Sequence, residues 1–205
     1  VATDGHRLVR YRRTDVKSDS GNTIIIPRKA LNLLKATLPS ENTDVTIDFN
    51  TSNAFFKFGN IRMICRLIDE RFPDYENVIP TSSTIKMTIN RTDFLSSLKR
   101  ISIYANKTTH QVRLKITGSE LQVSAEDLDF SNEANERLSC EHEGEDIEIG
   151  FNARFMVEML SNLDTDQIKL NMSAPNKAGV ILPVEKDKSE DILMLVMPVM
   201  LNQYV

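Results

Sequence analysis

Histidine and cysteine, the side chains most often recruited as metal ligands, catalytic bases and nucleophiles, are scarce: 3 and 2 among 205 residues. Cys65 and Cys140 lie far apart and match no metal or redox spacing, so each reads as a buried free thiol. His6 stands two residues after Asp4. No GxSxG elbow or catalytic-cysteine signature supplies a nucleophile beside them, whether Ser18 or Cys65 is tried, and His110 and His142 occupy unrelated segments. Catalysis is not expected. No glycine-rich phosphate loop is present, which argues against ATP use. The acidic stretches Glu126-Asp127-Leu128-Asp129 and Glu141-His142-Glu143-Gly144-Glu145-Asp146 lack the ligand spacing of a calcium loop and read as solvated strand connections. Neither a metal nor a cofactor is expected.

Long apolar runs are also missing. None approaches the roughly 18–20 residues that span a bilayer, and no charged-then-apolar leader opens the chain, so the reading is a cytoplasmic protein without membrane contact. The Asn-X-Ser/Thr sequons at Asn50, Asn90, Asn106 and Asn171 are then chance matches. Excess positive charge is absent too. A net charge of −4 excludes a surface wholly coated with cations, but not one that gathers them on a single face.

What is present is a repeat. Ile26-Pro27-Arg28, Ile89-Asn90-Arg91 and Phe151-Asn152-Ala153-Arg154 open three segments on one plan, with Pro27, Asn90 and Asn152 spaced 63 and 62 residues apart. Each segment begins with a short apolar strand, Thr23 to Ile26, Lys86 to Ile89 or Glu148 to Phe151. A helix start follows: Pro27 suits a first turn, Asn90 and Asn152 suit N-caps, and Asp93 adds negative charge near a helix N-terminus. Apolar residues then recur at helical spacing, as in Ala30, Leu31, Leu34 and Leu38, in Phe94, Leu95, Leu98 and Ile101, and in Phe155, Met156, Met159, Leu160 and Leu163. One buried face is expected on each helix. Alternating runs such as Val45 to Phe49, Val112 to Ile116 and Ile168 to Met172 read as half-buried strands, and turn-rich breaks lead to further strands. The unit is βαβββ and the fold class α+β.

Leu8-Val9-Arg10-Tyr11 ahead of the first unit reads as the last strand of a fourth. The chain starts inside a repeat and without Met, and so reads as a fragment. With two units per domain, residues 1–80 form half of one domain and 81–205 a complete second one, joined at Pro80-Thr81-Ser82-Ser83.

Several short motifs then carry a resemblance that extends along essentially the whole chain. They are Thr3 to Leu8 (TDGHRL), Val196 to Leu201 (VMPVML), Arg71-Phe72-Pro73-Asp74-Tyr75 with Val78 three residues on, the strand-to-helix entry Ile24 to Lys29, and Ile149-Gly150-Phe151-Asn152. In order and spacing the chain resembles the bacterial DNA polymerase III beta sliding clamp family. The resemblance implies a DNA clamp fold with antiparallel sheets outside and helices lining a channel. It implies a processivity factor, a ring around duplex DNA that tethers DNA polymerase III alpha subunit, the clamp loader, and other polymerases and repair proteins carrying QLxLF-type peptides. The full-length protein would be a head-to-tail homodimer in the nucleoid-associated cytoplasm.

The resemblance also implies sites. Leu8, Pro73, Val78, Leu195, Val196, Met197, Pro198, Val199 and Leu201 would line the peptide groove, with Thr3, Gly5, His6 and Arg7 on its rim and Gly179 contributing. Asn77 and Met200 occupy groove positions where the family usually has positive charge, which puts a preference for acidic peptide flanks in doubt. The extension Asn202 to Val205 would lie over the groove mouth or be disordered. Flexible methionines suit a pocket that takes several anchors, and Pro73 and Pro198 hold the backbone in shape. The competing reading makes Leu193 to Val199 a buried edge strand. Arg28, Lys29 and Lys35, then Arg91, Lys99 and Arg100, then Arg154 would face DNA, as opposed to being solvated helix faces. Ile103 and Tyr104 match the subunit joint, whose other side lies outside this chain, so the fragment is expected to be monomeric. The alternative function is a β-rich repeat interaction domain that binds proteins without DNA; it would scatter the cations instead of gathering them on one concave surface.

Overall fold

The computed structural model describes residues 1–17, 21–40, 42–185 and 187–201. Ser18 and the Asn202 to Val205 extension lie outside the described residues. Two compact units are formed, Val1–Lys17 together with Glu76–Val205, and Ser18–Tyr75. Val1–Lys17, grouped with the first domain by the repeat reading, thus packs with the later part of the chain.

The larger unit contains two complete repeats. The first runs β1 (Ile85–Asn90), α1 (Arg91–Ile101), a 3-10 turn (Ser102–Tyr104), β2 (Gln111–Thr117), β3 (Glu120–Asp127), β4 (Asn132–Ser139) and the short β5 (Glu141–Glu143). The second runs β6 (Ile147–Asn152), α2 (Ala153–Ser161), β7 (Gln167–Met172), β8 (Gly179–Pro183) and β9 (Glu190–Val196). Both helices start as the sequence predicts. The Asp93 amide donates to Asn90 Oδ1 at 3.0 Å, and the amides of Arg154 and Phe155 donate to Asn152 Oδ1 at 3.0 and 3.3 Å. Each cap satisfies amides that a helix N-terminus leaves without partners, a contribution of about 1 kcal/mol apiece.

The repeats close by exchanging their first strands. β1 pairs antiparallel with β7 of the other repeat, Ile168 opposite Ile89, and β6 pairs with β2, Ile149 opposite Leu114. Two sheets result. One runs β10-β11-β9-β8-β7-β1-β5, where β10 (Ala2–Thr3) and β11 (Arg7–Arg13) come from the start of the chain, and the other runs β6-β2-β3-β4. Period-two alternation sends Met87, Leu114, Ile149 and Ile168 inward to meet Phe94 and Leu98 of α1 and Met156 and Leu160 of α2, all fully buried in one core. Each such side chain contributes about 1.5–3 kcal/mol by leaving water.

The smaller unit holds one repeat: α3 (Arg28–Thr37), β12 (Thr46–Phe49), β13 (Asn53–Phe58) and β14 (Ile61–Arg66), with the strands in that order in one sheet. Two predictions fail here for one reason. Thr23 to Ile26 forms no strand, and α3 buries no residue. In the larger unit an opening strand pairs with the strand that follows the other repeat's helix, and the two helices pack on each other. A unit with a single repeat offers neither partner. Leu34 is half-buried against Ala54, Phe56 and Phe58, while Leu31 and Leu33 stay exposed.

Three further expectations need correction. Asp127 is not in a solvated connection: it ends β3 with only 2% exposure, its Oδ1 accepting from the Asp129 amide at 3.2 Å and Asn106 Nδ2 at 3.4 Å. Glu141–Glu143 is itself a strand, pairing with β1, and Lys86 Nζ lies 3.1 Å from Glu143 Oε2. Of the two free thiols Cys140 is buried, but Cys65 is only half-buried, against the small core of its unit.

Candidate functional site

The segment Thr3 to Leu8 turns between β10 and β11. Gly5 takes φ +87, a left-handed backbone open to glycine at no steric cost. Asp4 organises the turn, its Oδ1 accepting from the amides of His6 and Arg7, each at 3.0 Å. Thr3 Oγ1 donates to Arg7 O at 2.8 Å. Burial opposes ionisation of Asp4, but the His6 amide and the Arg7 side chain and amide outweigh it and hold its carboxyl below the ordinary value.

Arg7 links this turn to α2. Its Nε donates to Asp4 Oδ2 at 3.0 Å, its Nη1 donates to Glu158 Oε2 at 2.8 Å, and the guanidinium lies over the Phe155 ring at 4.5 Å from the centroid. The His6 ring stacks on the same phenyl, centroids 6.1 Å apart. Sequence reasoning read Phe155 only as part of a buried helix face and did not single out Glu158. The available signal was their spacing of three, which puts both on one side of α2.

The segment Val196 to Leu201 meets the turn from the other side. β9 is interior, between β8 and β11, with Leu195 opposite Leu8 and Val196 opposite Arg7, so the buried-edge-strand reading fails in its edge part. Leu8, Leu195 and Val196 are core residues at 2–3% exposure or less and support the surface from below. The chain then leaves the strand. The Met197 amide donates to His6 O at 2.8 Å, and the Val199 amide donates to Gly150 O at 2.8 Å, an isolated bridge to β6. Pro198 sits between them and has no amide to satisfy. Met197 and Met200 present exposed thioether side chains, at 42% and 69%. Gly179 is buried, pairs with Val196, and faces the Phe151 ring, which a Cβ there would approach to 2.9 Å. Asn77 and Val78 are exposed in a 3-10 turn, Tyr75–Val78. Pro73 belongs to the smaller unit and is exposed.

The basic residues divide by what they do. Lys99 and Arg154 are exposed, as are Arg28, Lys29 and Lys35 on α3. Arg91 instead donates from Nε to Thr165 O at 2.7 Å and from Nη1 to Leu160 O at 3.3 Å, so it caps the end of α2. Arg100 forms a bidentate pair with Glu136, both contacts 2.7 Å, which lowers the Glu136 carboxyl below its ordinary value. Ile103 and Tyr104 are exposed after α1. Among the described residues no group of three or more His, Cys, Asp or Glu could hold a metal, and no helix is long and apolar enough to cross a membrane.

Strand-exchanged βαβββ repeats that pack two helices beneath antiparallel sheets define the DNA clamp fold. Residues 1–74 match the family model of the DNA polymerase III beta subunit central domain, and residues 76–199 match that of its C-terminal domain. The chain belongs to the DNA polymerase III beta subunit family. It is 30% identical over 201 residues to the beta sliding clamp of Staphylococcus epidermidis, covering 97% of this chain and 52% of that protein. The beta sliding clamp of Vibrio cholerae is 28% identical, with coverage of 98% and 54%. Among solved structures, the sliding clamp of Pseudomonas aeruginosa bound to griselimycin superposes with a TM-score of 0.89 at 27% identity, over 98% of this chain and 53% of that one. A sliding clamp of Bartonella birtlesii gives 0.89 at 32%, over 98% and 57%. The chain spans about half the length of the relatives it matches.

Proposed function

We propose that this chain is the docking part of a sliding clamp, a non-catalytic processivity factor whose complete ring encircles duplex DNA. Residues 1–80 are read as the second half of the middle clamp domain and 81–205 as the complete C-terminal one. The groove formed around the turn at Thr3 to Leu8 and the segment Met197 to Leu201 takes QLxLF-type peptides of the polymerase alpha subunit, the clamp loader and repair proteins. The exposed cations Lys99 and Arg154, with Arg28, Lys29 and Lys35, contact DNA phosphates without reading sequence.

The observation that carries this reading is the clasp between segments almost a chain length apart: Met197 bonds His6 O while Arg7 and His6 share the Phe155 ring. An apolar, methionine-bearing surface is thereby fixed beside a polar rim, the composition a short apolar peptide with a glutamine needs. The test is a fluorescence-anisotropy titration of a labelled QLxLF peptide, expected to bind with micromolar Kd, about −8 kcal/mol. Met197→Ala is expected to weaken it, as is Pro73→Ala, since the resemblance assigns Pro73 to the same groove. Undiminished binding in both variants would put the site elsewhere.

A further inference from the structure

We infer that Gly150 is a positioning residue for the peptide groove: its missing side chain is the seat on which Val199 to Leu201 rests. This rests on the groove reading above. Along β6 the side chains of Ile147, Ile149 and Phe151 enter the core, so position 150 faces the opposite way. A Cβ there would stand 2.5 Å from Val199 O, 2.8 Å from Leu201 Cδ2 and 3.2 Å from Leu201 Cγ, and those are its three nearest neighbours. A larger residue would therefore displace the tail and leave the core untouched. The contact is also anchored by a bond, since the Val199 amide donates to Gly150 O at 2.8 Å.

The tail thus bonds to the turn between β10 and β11 and to β6 within three residues, through Met197 to His6 and through Val199 to Gly150. Met197 and Met200 lie at or beside the two anchors. Loss of the second anchor would free Met200 and leave Met197 held on one side only, so a peptide would have to order the tail as it binds.

The experiment compares Gly150→Ala with the unaltered chain and with Gly21→Ala, a position where a Cβ meets nothing within 4 Å. Peptide anisotropy, amide exchange at Val199 and thermal unfolding are read on each. Gly150→Ala is expected to weaken the peptide at least tenfold and to speed Val199 exchange, with the unfolding midpoint close to that of the unaltered chain. Val199→Pro, which removes the donated amide without touching β6, is expected to give the same loss, and serves alone should Gly150→Ala fail to fold. Val199 exchange unchanged in Gly150→Ala, or peptide affinity unchanged in both variants, would overturn the inference. A chain that binds no peptide, yet whose Val199 exchange responds as described, refutes the groove reading and leaves the seat intact.

Discussion

The guanidinium of Arg7 lies 4.5 Å from the centre of the Phe155 ring, which fastens the turn at the start of the chain to a helix in the last repeat. The same guanidinium pairs with Glu158, whose side chain is 61% exposed. An exposed ion pair is worth about 0–1 kcal/mol, whereas a cation over an aromatic face adds about 0.5–2 kcal/mol. The ring is therefore the stronger tie.

Phe155→Ala is expected to weaken QLxLF peptide binding by about 1 kcal/mol or more, a factor of five or so, because it releases both Arg7 and His6. Glu158→Gln should cost less, and its effect should shrink as salt is raised. Titrations at low and high salt check this, and the reverse order would mean that charge, not the ring, fixes the turn.

Arg91 and Arg154 are both arginines near a helix start, yet their substitutions should separate. Arg91→Ala takes charge-assisted hydrogen bonds from Thr165 O and Leu160 O, and is expected to lower unfolding stability by about 1.5–3 kcal/mol in urea denaturation. Arg154→Gln, at an exposed position, should change stability by less than about 0.5 kcal/mol. For DNA association it should instead reduce the salt slope by about one unit, a change Arg91→Ala should not produce.

His110 offers a pH test. Burial first, then the nearby charges of Arg154 and Lys107, push its imidazole below the ordinary value of 6.5. A lowered value means that the fold favours the neutral ring. The stability this provides is complete above pH 6.5 and is lost as pH falls through the folded value. An NMR titration should give a midpoint below 6.5, and Arg154→Gln should raise it only partway, since burial remains. A midpoint at or above 6.5 would contradict this environment.

Ile103 is 65% exposed after α1, and the resemblance assigns it to a subunit joint. We propose that residues 1–205 tested alone are monomeric by light scattering at high concentration. A stable ring-like dimer would refute this.

The larger unit was legible because each of its repeats carries its own signals. Asn90 and Asn152 fixed two helix starts, and alternation at Val112 to Ile116 and Ile168 to Met172 marked strands that form with one face buried. The smaller unit was less so, since Thr23 to Ile26 has strand composition but strandedness depends on a partner, which local pattern does not report. At the site the two motifs were found, but what joins them was not. The bonds from Met197 to His6 O and from Val199 to Gly150 O are made by backbone, which has no sequence signature. Alternation along β3 puts Asp127 on the buried face with Leu121, Val123 and Ala125, but no local pattern reports its partner Asn106, 21 positions away.

The pairing of β11 with β9 bears on how this molecule is made. Tyr11 donates to Glu190 at 2.6 Å across a separation of 179 positions. During synthesis β11 must wait, its ladder to β9 unmet, until nearly all the intervening chain has emerged. Such distant pairing slows folding and leaves an open strand edge available to other chains. Arg10, Arg12 and Arg13, beside the apolar Leu8 and Val9 in that edge, supply charge that discourages premature association.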